Sequence, residues 1–322
     1  MSKKNNQKII KDIKQQQKGY TLDSDDSSKN NKDIRSILKI IKNKTTQDGE
    51  GVTLNRSFPN SYITDFDPFL LLDEMGPIDI QPGKSKGFPD HPHRGFETVT
   101  YLLEGKFEHK DSQGHAGTIS AGDVQWMTAG SGVIHSEMPE KEFSKSGGKL
   151  HGFQLWVNLP KKNKMMKPRY QEISSLKIPT GTTKNGNVSV KVIAGESIGE
   201  KAVIDTITPI MYLHFKLEPD NRIIQQVPGE YNVFVYIIKG KGIFEQGKSG
   251  NKIIEKGNLV IFDKDGKEVY LQAVKDSSDA LELLLIGGIP IKEPIARYGP
   301  FVMNTQQEIY QAIEDYRSGK LG

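Results

Sequence analysis

Short apolar runs separated by turn residues set the pattern of this chain from about residue 35 onward. Phe69-Leu70-Leu71-Leu72 follows Asp67-Pro68, and Thr98-Val99-Thr100-Tyr101-Leu102-Leu103 alternates before stopping at Glu104-Gly105-Lys106. Asp123-Val124-Gln125-Trp126-Met127 follows the Ala121-Gly122 turn, and Gln154-Leu155-Trp156-Val157 closes the region. Runs of this length, bounded by Gly, Pro and Asp, predict strand, turn, strand from Ile37 to Val157. Residues 161–187 are rich in Lys, Asn, Gly and Thr, with Pro168 and Pro179, and read as a linker or a loosely packed connection. The end of the chain changes period. Thr305-Gln306-Gln307-Glu308 is a capping box, Ile309, Ala312, Ile313 and Tyr316 form one stripe, and Gly319 is a stop, which together predict a helix.

The second half repeats the first. Tyr101-Leu102-Leu103-Glu104-Gly105-Lys106 matches Tyr236-Ile237-Ile238-Lys239-Gly240-Lys241, and Gly122-Asp123-Val124 matches Gly257-Asn258-Leu259, both at an offset of 135 residues (236 less 101, 257 less 122). A shared offset predicts two copies of one all-β unit, each two antiparallel sheets rolled into a small barrel. The expected division is a disordered polar tail over 1–34, an N-terminal domain over 35–170 and a C-terminal domain over 185–322 that carries the helix.

Composition narrows the chemistry. The chain has 322 residues, 32 of them glycine, which suits short strands and turns. It has no cysteine, so thiolate metal sites, disulfides and a Cys nucleophile are excluded. The net charge of +4 comes partly from a lysine-rich N-terminus. No basic and aromatic cluster in the folded part predicts direct nucleic-acid binding. The N-terminus has no apolar signal-peptide core, and no run approaches the roughly 18–20 apolar residues of a membrane-spanning helix. An intracellular protein, cytoplasmic or nuclear, is expected, with the tract Lys8, Lys11, Lys14 and Lys18 as a candidate import or phosphate-binding segment. A monomer is expected.

The chemistry concentrates in Asp90-His91-Pro92-His93-Arg94-Gly95-Phe96-Glu97 and His135-Ser136-Glu137. On a strand, residues two apart share a face. His91 and His93 can therefore aim two imidazoles at one point, and His135 and Glu137 can meet them from a second strand. Three nitrogens and a carboxylate suit Fe(II), Mn(II), Ni(II), Cu(II) or Zn(II), with positions left open for O₂ or a chelating substrate. The positions that match these ligands in the second copy, Gln226, Pro228, Tyr270 and Gln272, hold no equivalent set. A metal-binding first barrel and a degenerate second one are expected. Glu97 could be a ligand, a group that orients one, or a surface charge. His109 and His115 fall in the hairpin 106–117, where surface positions are expected. His151 and His214 are expected to be structural. Trp126, Phe88 and Phe96 flank the ligands and could line a pocket for a planar molecule.

Gly87-Phe88-Pro89-Asp90-His91-Pro92-His93-Arg94-Gly95-Phe96-Glu97-Thr98-Val99 resembles the signature of the pirin family, a branch of the cupin superfamily. Asp123-Val124-Gln125-Trp126-Met127-Thr128-Ala129-Gly130, Gly132-Val133-Ile134-His135-Ser136-Glu137-Met138-Pro139, Leu155-Trp156-Val157-Asn158-Leu159-Pro160 and Gly299-Pro300-Phe301-Val302-Met303-Asn304-Thr305 continue the resemblance, which runs from about residue 35 to the C-terminus. It implies an all-β bicupin: two stacked antiparallel, jelly-roll-like β-barrels, with iron in the N-terminal one. The family's metal ligands carry over onto His91, His93, His135 and Glu137. Glu97, the ligand position of the general cupin pattern, is by that analogy not a ligand. Two functions are implied. One is quercetin 2,3-dioxygenase-type cleavage of a planar aromatic substrate such as a flavonol, with Fe(II) or another first-row divalent metal as cofactor and Glu137 as the catalytic base. The other is an iron-dependent, redox-sensing nuclear co-regulator that acts through a transcription-factor partner. Fold alone does not choose between them.

Overall fold

The computed structural model describes residues 33–246 and 252–321 and the backbone of Tyr20–Thr21. The strands of this chain pair antiparallel, and they group into two compact units. Of the described residues, the first unit comprises those within 41–178, 204–209 and 288–321; the second comprises those within 33–40, 179–203 and 210–287.

Among the described residues, the first unit contains a seven-stranded sheet in the order Arg169–Ile173, Val124–Thr128, Phe96–Glu104, Gly148–Asn158, Phe69–Ile80, Val52–Phe58, Lys44–Asp48. A four-stranded sheet lies opposite, in the order Phe88–His93, Val133–Pro139, Lys106–Asp111, Ala116–Ser120. Thr100 and Gln154 of the larger sheet hydrogen-bond to Glu137 of the smaller, so the two inner faces meet. Val52, Leu54, Met75, Leu102, Phe107, Ile119 and Leu150 fill one part of the interior. The remainder is open and holds the candidate site.

The second unit fills its interior instead. Val188, Val190 and Val192 on one strand meet Leu213, Phe215 and Leu217 on the next. Leu281, Leu283 and Leu285 follow, then Val233, Val235 and Ile237, all in one buried cluster. Every second residue faces this core, as the strand period requires. At about 1.5–3 kcal/mol for each large apolar side chain removed from water, this is the driving force for the unit. The repeat is visible in the pairing: Tyr101 lies opposite Val124, and Tyr236 lies opposite Leu259, at the offset of 135 residues.

Several readings of the sequence change against this architecture. Residues 161–187 are not a loose linker. Arg169–Ile173 pairs along Val124–Thr128, and Thr180–Thr182 pairs along Ser189–Lys191. An edge strand is held by its backbone ladder and needs few apolar side chains, so composition concealed it. The C-terminal helix Gln306–Arg317 has the expected capping box at Thr305 and Glu308. It buries Ile309 and Ala312 against Ala296, Phe301, Met303 and Leu321. Residues 288–322 group with the first unit, whereas the contiguous division 185–322 places them with the second copy. Tyr316, expected on the buried stripe, is exposed. Finally, the lysine tract from Lys3 to Lys18 lies outside the described residues. Within the expected tail, Tyr20–Thr21 pairs with Ile224–Gln225 and Ile34 bridges to Glu268.

Candidate metal centre

The strands Phe88–His93 and Val133–Pro139 run antiparallel with His91 opposite His135 and His93 opposite Val133. Alternation places His91 and His93 on one face, and leaves His135 and Glu137 buried with Ser136 turned away. The three imidazoles converge, with ring centroids 4.7 Å apart for His91 and His93, 4.5 Å for His91 and His135, and 4.9 Å for His93 and His135. Their donor atoms all lie within 4.8 Å of one another. Glu137 stands outside that set. The pairing slips by a residue between His135 and Glu137, and such a bulge re-aims the side chains around it. The Glu137 carboxylate accepts a hydrogen bond from the Thr100 hydroxyl at 2.7 Å on Oε1 and from the Gln154 amide at 3.2 Å on Oε2.

These groups suit a metal ion. Neither ring nitrogen of His93 or His135 makes a sound hydrogen bond, although the Pro300 carbonyl is near enough to His93 to favour its charged form. Buried polar atoms normally have partners, and unpartnered imidazole nitrogens of this kind fit the role of metal-binding groups. Burial, followed by the neighbouring His135 and His91, holds His93 well below the ordinary histidine range. Burial, then His91 and His109, pushes His135 down to about 3. Both are neutral and keep a lone pair free. His91 donates from Nδ1 to the Pro89 carbonyl at 2.8 Å, which fixes its tautomer and leaves Nε2 free. Three converging imidazoles beside a carboxylate fit a first-row divalent cation.

The segment after His93 is clamped. Gly95 has φ +90, and a Cβ there would sit 2.0 Å from the Val302 carbonyl oxygen, so no other residue fits without moving that strand. Arg94 donates from Nε to the Ser131 carbonyl at 2.6 Å and pairs through Nη1 with Asp315 of the C-terminal helix at 2.8 Å. The buried Lys164 ammonium donates to the carbonyls of Gly95 and Val302 and to Asn158 Oδ1, at 2.8, 3.0 and 2.6 Å. These contacts were not read from the sequence, because their partners are far apart along the chain.

Beside the histidines opens a cavity of about 580 Å³. Leu54, Leu71, Met75, Phe88, Phe107 and Trp156 give it apolar walls, and Thr100, Gln154 and Glu137 give it a polar face. Of the aromatic residues singled out from the sequence, Phe88 lines the cavity and Phe96 packs edge-on to His93 at 5.1 Å. Trp126 is fully buried and is not among the lining residues. Arg56 and Arg297 also reach the cavity. Arg56 forms a two-pronged pair with Asp73, at 2.8 and 2.7 Å.

Glu97 faces away. It lies opposite Thr128 on the far side of its strand from Phe96, Thr98 and Thr100, and it accepts the Thr128 hydroxyl at 2.7 Å. Burial raises its carboxyl to about 7, against the opposing pull of Thr128, Trp126 and Arg169. His109, expected at the surface, is buried beside Glu172 and stacked on Tyr170. It shares the inward face with Phe107, where the alternation Lys-Phe-Glu-His-Lys had already placed it. His115 is exposed and pairs with Asp111 at 3.0 Å. His151 is buried against Glu74 at 3.0 Å, and His214 lies 3.9 Å from Glu282. Among the described residues no second cluster resembles the three histidines. In the second unit the Tyr270 hydroxyl donates to Gln272 at 2.8 Å, and the Pro228 carbonyl accepts from Arg35. No helix of the described residues is long and apolar enough to cross a membrane.

Comparison with known proteins agrees with this geometry. The Pirin family profile matches residues 51–157, and the Pirin C-terminal cupin domain profile matches residues 212–322. The chain is 48% identical over 293 residues to Pirin-like protein 2 of Arabidopsis thaliana, covering 89% of this chain and 86% of that one. It is 42% identical over 289 residues to human Pirin, covering 89% and 94%. Among solved structures, quercetin 2,3-dioxygenase from Acinetobacter baumannii superposes with a TM-score of 0.83 at 37% identity, covering 90% of this chain and 99% of that one.

Proposed function

The chain belongs to the pirin family, and on that premise we propose that its first barrel is a quercetin 2,3-dioxygenase-type centre that holds Fe(II) at His91, His93, His135 and Glu137 and cleaves a flavonol-like substrate with O₂. The second barrel is its degenerate partner; along the sequence 35–170 and 185–322 are the two cupin halves, and the closing segment 288–322 groups with the first unit. The observation that carries this reading is the opening of the histidine cluster into a cavity of about 580 Å³ with Phe88 and Trp156 in its walls and Glu137 at its polar face. A small aromatic ligand is buried in a cleft of that size. A first-row ion held there supplies a Lewis-acid and redox centre at which vicinal substrate oxygens and O₂ can meet.

The chain's own residues have defined tasks. The apolar walls exclude water and orient the ring system. Glu137 accepts the proton of the substrate hydroxyl next to the ring carbonyl, which leaves the electron-rich anion that reacts with O₂. Thr100 and Gln154 hold the Glu137 carboxylate in place before that transfer. The test is an aerobic assay of iron-loaded protein that follows loss of the flavonol chromophore together with release of CO. Turnover that disappears in His93→Ala supports the reading. No turnover by fully loaded protein overturns it and favours an iron-dependent co-regulator that works through a protein partner.

A further inference from the structure

Two arginines line the cavity without a task in the proposed chemistry; Arg56 is paired with Asp73, and Arg297 is not paired with a carboxylate among the described residues. Arg297 sits with Cζ 5.0 Å from the centroid of the Trp156 ring, and that indole lies edge-on to His93 at 5.3 Å. Guanidinium and imidazole therefore flank the same indole. Arg297 Nη1 donates to the Leu70 carbonyl at 3.1 Å, which fixes the head group in the cavity wall. No carboxylate of the described residues lies within 4.0 Å of it, although Asp65 and Asp73 act on it from farther away. Burial, then Arg56, lowers its pKa from the ordinary arginine value.

Most carboxylates around the cavity are engaged elsewhere, and Asp65, which also acts on Arg297, is exposed. Asp73 is held by Arg56 through both oxygens. Asp48 lies 3.4 Å from Arg56 Nη2. Glu50 accepts the Gly87 amide at 3.2 Å, and Glu137 is held by Thr100 and Gln154. Asp90 is exposed at the rim. A partly buried guanidinium with one neutral hydrogen bond and an aromatic face beneath it is incompletely compensated. A guanidinium has further N–H donors, which can grip a planar anion through two hydrogen bonds.

We propose that Arg297 is a specificity residue, and that the preferred substrate of this cavity is a planar aromatic with vicinal oxygens and a carboxylate, the oxygens facing the histidines and the carboxylate paired with Arg297. This rests on the dioxygenase reading for the vicinal oxygens and narrows its substrate from a neutral flavonol to a carboxylated aromatic. A neutral ligand leaves the guanidinium as it is, whereas a carboxylate satisfies it at a fixed distance from the reacting oxygens.

The experiment compares two probes of nearly equal shape, 3,4-dihydroxybenzoate and its methyl ester, by titration calorimetry on metal-loaded protein at pH 7. Wild type should bind the acid at least tenfold tighter than the ester. Arg297→Gln should bind the two within about twofold of each other, with its ester affinity close to that of wild type. No preference for the acid in wild type overturns the assignment and requires no variant. A preference that persists in Arg297→Gln also overturns it, because the carboxylate is then recognised elsewhere. Absent discrimination in wild type beside intact quercetin turnover sinks the Arg297 assignment alone. Absent turnover beside Arg297-dependent discrimination sinks the dioxygenase reading alone.

Discussion

His91 and His135 are direct cross-strand partners, with ring centroids 4.5 Å apart. His93 joins them from the same strand as His91, so two strands carry three nitrogens. Two of these rings are buried and without sound partners. Their geometry comes from the backbone ladder and not from contacts between the imidazoles.

Removing either buried ring should therefore remove the ion and leave the barrel folded. Purified wild type is expected to carry about one equivalent of a first-row metal, and His93→Ala and His135→Ala close to none, by elemental analysis. An ion that binds only the native state stabilises by about 4 kcal/mol at a thousandfold excess over its Kd. Added metal should raise the melting temperature of wild type and leave both variants unmoved. Stoichiometric metal in both would sink the site.

Lys164 supports the same turn from behind. Its three acceptors are neutral, and burial lowers its ammonium to about 8. In Lys164→Met the Gly95 and Val302 carbonyls and the Asn158 side chain lose their donor. At about 1–3 kcal/mol for each buried unsatisfied group, the variant should lose roughly 3 kcal/mol or more. A urea titration reads this as a lower midpoint. An unchanged midpoint would mean that water replaces the ammonium.

The histidine cluster was legible because a two-residue period on a strand is a local rule. His91, His93 and His135 needed only their spacing and a β reading of their surroundings, whereas Glu137, counted with them, stands outside the cluster. The repeat was legible for the same reason: Tyr101 opposite Val124 and Tyr236 opposite Leu259 preserve the offset found in the sequence. The polar hold on Glu137 was not legible, since Thr100 and Gln154 look like ordinary strand residues until the two sheets face each other. Arg297 lies 141 residues beyond Trp156 (297 less 156), and nothing local links the two. The strand Arg169–Ile173 escaped because its pairing is a backbone matter, while its composition is that of a loop.

Glu97 gives a pH signature that is independent of the metal. Its carboxyl is raised from the ordinary 4.5 to about 7 by burial. The native state then holds a proton that the unfolded chain has already released between those two values. Stability should fall as pH rises through that window, by up to about 3 kcal/mol at 1.36 kcal/mol per unit. Glu97→Gln keeps an acceptor for Thr128 and removes the charge. The variant should match wild type near pH 4 and exceed it by about 2–3 kcal/mol at pH 8 in denaturant titrations. A difference that does not change with pH would show that Glu97 is not the titrating group.

Arg35 offers a contrast in the second unit. Its guanidinium is fully buried and donates to the carbonyls of Gly266, Tyr231, Pro228 and Gly229. Arg35→Ala should cost on the order of 3–5 kcal/mol, the usual penalty for removing one side of a buried charged network. The site lies in the other unit, so the folded variant should keep its metal content. Thermal unfolding and metal analysis of one preparation decide both parts. Loss of metal from folded Arg35→Ala would show a coupling that this arrangement does not contain.

Thr100 tests the role of Glu137 without altering a histidine of the cluster. Its hydroxyl lies 2.7 Å from Glu137 Oε1 and 2.7 Å from Gln154 Oε1, so it spans the two groups that position the carboxylate. Thr100→Val keeps the volume and the strand preference and removes the hydroxyl. The three histidines remain, so metal content should be close to wild type. Loss of an outer partner of this kind commonly lowers activity or metal affinity by about 10–100-fold. If Glu137 takes the substrate proton, the loss should fall mainly on kcat, with KM little changed, because the carboxylate is misaimed and the cavity walls are intact. Thr100→Ser, which restores the hydroxyl, should recover most of the rate. A Thr100→Val enzyme with wild-type kcat would remove Glu137 from the proton-transfer step. A variant that loses metal instead would show that the hydroxyl serves a ligand and not a base.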